Sequence, residues 1–207
     1  MSGIFEQLLG MVGTGNELSS ISNAIGGDQS ATQRGIAAAL PLLLGGLANN
    51  SQSAQGASAL FGALDKHDGA VLGDLAGLLG GGSGLADGAK ILGHIFGGSN
   101  DNVASAVSQK SGLDVSTVMR LLPILAPIVM GFIGKMRNEN SLDQNAVSQQ
   151  LAQEKTAVAQ TEPALGGLLG MLDADGDGNI MGEIGGLLGG DASGLGSILG
   201  QVLGGNK

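Results

Sequence analysis

The chain has 207 residues, with nine basic against eighteen acidic side chains and a net charge of −9. It contains no cysteine and 40 glycines, and only 2% of its residues are aromatic against 43% hydrophobic. These counts exclude a disulfide scaffold, a thiol catalyst and a Cys-ligated metal centre, and they argue against nucleic acid, which needs basic patches and stacking rings.

The start, Met1-Ser2-Gly3-Ile4-Phe5-Glu6, has no basic n-region and an early acid. It is unlike a secretory signal, so a cytoplasmic location is expected. Ser2 is placed to cap a first helix over 4–11, and Asn16 a second over 17–25 that stops at Gly26-Gly27. Asp28 or Ser30 opens a long apolar helix running to Ala48. In residues 54–67, Ala57, Leu60, Phe61 and Leu64 make one amphipathic stripe. Shorter helices are expected over 71–79 and 85–96, each closed by glycines. Asp101 caps 102–109 and Asp114 caps 115–137. Within the last of these, Leu121 to Gly134 is uncharged. Fourteen residues fall short of the ~20 of a membrane span, so it reads as a buried core helix. The fold class expected is all-α.

Two segments look like copies at an offset of 82, which pairs Ile21, Ile25, Ile36, Leu40 and Pro41 with Val103, Val107, Val118, Leu122 and Pro123. Each proline removes one helical amide, and a kink is expected at both. Three regions follow: a multihelical core over 1–138, a helical linker over 139–163 and a tail over 164–207. The linker helix, opened by Ser141, carries only a thin apolar stripe and reads as loosely packed or as a spacer. The tail repeats Gly-Leu-Leu-Gly at 167–170 and 186–189. Gly182, Gly186 and Gly190 are four apart, as are Gly196, Gly200 and Gly204. On helices such sets make grooves free of side chains that admit another helix closely. Each interior glycine also costs ~1 kcal/mol relative to Ala, so these segments need a partner surface or an ion.

One constellation carries chemistry. Asp173, Asp175 and Asp177 stand at positions 1, 3 and 5 of a calcium-type loop, with Gly178 at 6 and Ile180 at 8. Alternate residues of a tight turn converge their oxygens on one point, which suits a hard divalent cation. The Asn179 carbonyl supplies position 7, and Glu183 is the nearest acid to the closing position, where the chain has Ile184. The metal ligands expected are therefore Asp173, Asp175, Asp177, Asn179 and Glu183, with Ca²⁺ as the ion. Asp65-Lys66-His67-Asp68 offers weaker ligands and reads as a helix end followed by a cap. His94 reads as a surface or core histidine, and Gly80–Gly84 as a turn without the lysine of a phosphate loop.

Four segments carry a resemblance: Gly35 through Leu40-Pro41-Leu42-Leu43-Leu44-Gly45-Gly46 to Asn50, Leu64-Asp65-Lys66-His67-Asp68-Gly69, Asp87-Gly88-Ala89-Lys90 to His94, and Leu121-Leu122-Pro123-Ile124-Leu125-Ala126-Pro127. Over about 1–138 the chain resembles the bacterial domain of unknown function DUF937, whose members are YidB-like, and many members resemble it in ending on an Asp-x-Asp-x-Asp-Gly tail. The resemblance implies a multihelical bacterial protein and supplies no catalytic residues. The expectation is a non-enzymatic, calcium-binding protein that self-associates or scaffolds as a homo-oligomer. Membrane-surface contact through the Gly/Leu tail is the alternative, disfavoured by the acidic charge and the lack of aromatic anchors.

Overall fold

The computed structural model describes residues 3–80 and 82–161, and every regular element among them is an α-helix. In chain order these are α1 (Ile4–Val12), α2 (Gly15–Ile25), α3 (Gln29–Asn50), α4 (Ala54–Leu64), α5 (Ala70–Gly73), α6 (Leu75–Gly80), α7 (Gly82–Phe96), α8 (Asn100–Ser111), α9 (Val115–Glu139) and α10 (Gln144–Thr161). Asp28 caps α3 by accepting from the Ala31 amide, Ser53 caps α4 at Gly56, and Asp114 caps α9 at Thr117. The helix expected over 71–79 is two short ones. Asp74 breaks it and uses its carboxylate to accept from the Gly77 amide. Helix α10 starts not from Ser141 but from Asp143, whose carboxylate accepts from the Ala146 amide.

The centre of the bundle is α3 and α9, whose apolar residues face inward on nearly all sides. Leu40, Leu42, Leu43, Leu44, Leu121 and Leu125 are completely inaccessible to solvent. Helix α9 is long and apolar enough to cross a membrane, yet 78% of its most apolar stretch is buried inside the bundle. Both central helices continue through their prolines, Pro41 in α3 and Pro123 and Pro127 in α9. Around them, α7 lies along α9, α8 packs on both α3 and α9, and α10 covers α3 and α4.

Two helix–turn–helix units recur, in a register that differs from the sequence expectation. Helix α2 ends at Gly26 (φ +70°) and α8 at Gly112 (φ +79°), left-handed positions that favour glycine. The capping aspartates, Asp28 and Asp114, follow two residues later, 86 apart rather than 82. At this spacing Ser30, Arg34, Pro41 and Gly45 meet Ser116, Arg120, Pro127 and Gly131. Each residue buried in α9 then has a buried counterpart in α3. The proline equivalent to Pro41 is therefore Pro127. An offset of 82 is one helical turn out, and a shift of one turn keeps the apolar face nearly unchanged. The equivalent residues Gly35 and Leu121 touch each other: a Cβ on Gly35 would lie 3.0 Å from a Leu121 methyl. That contact marks a pseudo-symmetric seam.

The segment expected to pack loosely or act as a spacer is seated on the bundle. Val147, Leu151 and Val158 of α10 are buried. Glu154 reaches back to the N-terminus of α1, accepting from the Ile4 amide at 2.6 Å and the Phe5 amide at 3.4 Å. It takes the capping place that Ser2 was expected to fill. Lys155 donates to the side-chain oxygen of Asn49, which is fully buried near the end of α3.

Candidate functional site

The segment at 65–68 does not draw its side chains to one point. Asp65 is held by Arg137 at 2.7 Å, and the same guanidinium donates to the Phe61 carbonyl and lies 4.7 Å from the centre of the Phe61 ring. Asp68 accepts from the Ala70 amide, opening α5. His67 is half-buried, and its backbone carbonyl rests against Gly134, where a Cβ would come within 1.8 Å. Burial lowers its pKa below the usual histidine value, opposed by the negative charges of Asp87 and Asp68 and reinforced by Lys66. The arrangement stitches α4 to α9 and builds the turn into α5.

Among the described residues no group of three or more His, Cys, Asp or Glu side chains is placed to hold a metal ion. The expected calcium ligands Asp173, Asp175, Asp177, Asn179 and Glu183, and the Gly/Leu tail around them, lie outside the described residues.

Among the described residues, two recesses mark the surface of the bundle. The larger, about 1350 Å³, lies between α1, α5, the end of α9 and α10, and its polar lining includes Asp68, Lys135, Glu139 and Glu154. These carboxylates already have structural partners. Glu154 caps α1, Asp68 accepts from the Ala70 amide, and Glu139 faces Lys135 at 3.8 Å.

The smaller recess, about 270 Å³, is an apolar groove between α3, α4, α7 and α9. Leu47, Leu60, Ile91, Ile95 and Met130 line it, and α4 contributes the small residues Gly56, Ala59 and Ala63. Its polar rim is His94, exposed in the last turn of α7, and Asn50, whose amide donates to the Ile95 carbonyl. Sequence reading found the buried stripe of α4 but missed this groove. The available signal was the run of small residues at 56, 59 and 63 beside that stripe, which spaces α4 from a neighbour without filling the gap.

The family model described as bacterial protein of unknown function (DUF937) matches residues 6–136, from α1 to near the end of α9. No curated protein and no solved structure matches the chain.

Proposed function

The chain belongs to the DUF937 family of bacterial proteins of unknown function, and from that premise we propose a non-enzymatic protein that binds calcium through its C-terminal loop and associates with further copies of itself as a scaffold. The observation that carries this reading is the spacing of Asp173, Asp175, Asp177, Gly178 and Asn179, flanked by segments with glycine at every fourth position. Without an ion, three carboxylates crowd one turn and repel one another. A bound divalent cation removes that repulsion, and its binding free energy becomes available to order the neighbouring glycine-rich segments. Glu183, one residue short of the usual closing position, supplies the remaining carboxylate. The structural employment of Asp65 and Asp68 supports a non-catalytic role for the bundle.

Calorimetric calcium titration of the full chain, wild type against Asp173→Ala/Asp177→Ala, tests the ion site. Saturable heat in the wild type and its loss in the variant are expected. Light scattering in calcium and in chelator tests association, with a larger mass expected in calcium. Equal heats for the two proteins would overturn the ion site, and equal mass and helicity in both buffers would overturn the calcium-driven assembly.

A further inference from the structure

The apolar groove between α3, α4, α7 and α9 is open on the surface of the bundle. At about 270 Å³ it is smaller than the ~300–1,000 Å³ usual for small-molecule sites, and it is lined mainly by aliphatic side chains. Such a surface suits a pair of apolar side chains carried on a closely approaching backbone. The wall formed by Ala59 and Ala63 permits that approach, while the side-chain direction of Gly56 is already filled by the Asn50 carbonyl. Helix α10 delivers the chain to this region. It packs on α3 and α4, and Lys155 bonds to Asn49, the residue next to Asn50 on the groove rim. From Lys155 to Thr161 the helix advances only ~9 Å. Residues 162–207 follow, beginning Glu162-Pro163-Ala164-Leu165-Gly166-Gly167-Leu168-Leu169-Gly170. Pro163 disfavours continuing straight along α10. The seven residues from Thr161 to Leu168 can span at most ~25 Å, and the helix they leave already packs on α4.

We infer that the groove is the intramolecular dock for the first Gly-Leu-Leu-Gly segment, with Leu168 and Leu169 entering it and Gly167 and Gly170 lying against the small residues of α4. The tether makes this an intramolecular event at millimolar effective concentration, so a modest apolar contact suffices. Docking places the acidic loop at 173–183 just beyond the groove and leaves the second Gly-Leu-Leu-Gly segment, 186–189, for contact with another chain. The inference does not require calcium in the loop, and it stands or falls separately from the ion site.

The chain's lack of cysteine makes the test direct. Full-length Ala59→Cys/Leu168→Cys is treated with a short bis-maleimide and compared with Ser20→Cys/Leu168→Cys, whose α2 position does not line the groove. Intrachain cross-linking at Ala59 is expected to be about tenfold faster than at Ser20. Adding Leu169→Asp to the first pair is expected to remove most of that advantage, with unchanged helicity by circular dichroism. Equal rates at Ala59 and Ser20, or insensitivity to Leu169→Asp, would overturn the inference. A product made only of cross-linked dimers would also overturn it, because the occupant would then be a second copy.

Discussion

The backbone of Gly88 in α7 rests directly on the carbonyl oxygen of Pro123 in α9, where a Cβ would come within 1.9 Å. That carbonyl is available because the residue four places on is Pro127, which has no amide to donate to it. The missing side chain of one helix and the missing amide of the other meet at one point. A Cα–H···O contact compensates weakly for the lost hydrogen bond. The oxygen is backbone and cannot swing aside, so Gly88→Ala is expected to lower stability by roughly 1–3 kcal/mol through overpacking. Gly93 is the control on the same helix. A Cβ there meets nothing within 4 Å, and Gly93→Ala is expected to stabilise by about 0.4–1 kcal/mol. Urea-unfolding midpoints of the two variants should move in opposite directions.

Glu154 fastens α10 to α1. Its carboxylate accepts from the Ile4 and Phe5 amides, the donors that a helix N-terminus leaves unsatisfied. Gly3 is packed so closely that a Cβ there would lie 2.7 Å from the same carboxylate. Glu154→Ala is expected to cost about 1 kcal/mol, as loss of a cap usually does. Amide exchange should accelerate in the first turn of α1 more than in α3. Glu154→Gln, which keeps an acceptor but not the charge, should fall between the two. Uniform acceleration across the bundle would show that Glu154 acts on general stability and not as the cap of α1.

The all-α class, the helix order and the two central apolar helices were legible because local signals agreed with the packing. Asp28 and Asp114 are capping residues in both sequence and structure, and Leu121 to Gly134 is interior as its lack of charge demands. Long-range relations were not legible. Nothing near Ile4 in sequence announces that its amide is satisfied by a side chain 150 residues away. The repeat was visible but set one turn out, because Pro123 and Pro127 both offer a partner for Pro41 and the apolar pattern fits either. The left-handed glycines at 26 and 112 decide the register, and they required the backbone. The groove beside α4 was hidden for a similar reason. A row of small residues reads the same whether a neighbour fills the space or leaves it open.

The repeated units place an arginine at equivalent positions but use the two differently. Arg34 donates from Nε to the Ser111 carbonyl at the C-terminal end of α8, where positive charge is favourable. Among the described residues its counterpart Arg120 reaches only the Thr117 hydroxyl on its own helix, at 3.3 Å. Arg34→Ala is therefore expected to destabilise by about 1 kcal/mol, and Arg120→Ala to change stability by less than about 0.5 kcal/mol. Thermal unfolding of both variants would check this. Equal losses would mean that both arginines serve their helix ends through solvent and that the hydrogen bond to Ser111 is immaterial.

His67 gives the fold a pH dependence whose sign follows from its surroundings. Burial lowers its pKa below 6.5, outweighing the negative charges of Asp87 and Asp68 that would raise it. The unfolded chain therefore takes up a proton more readily than the folded one. Stability is at its full value above pH 6.5 and declines as the pH falls through that value toward the lowered pKa of the folded state. The carbonyl of His67 is pressed onto Gly134, which holds the backbone of this turn against α9. His67→Gln removes the titration while keeping a polar side chain of similar reach. Urea midpoints compared between about pH 7.5 and pH 5.5 are expected to fall more in the wild type than in His67→Gln. The chain's other histidine, His94, is exposed and present in both proteins, so it cancels in the comparison. A variant as pH-sensitive as the wild type would assign the effect to other groups and would mean that the half-buried imidazole is accommodated in either charge state.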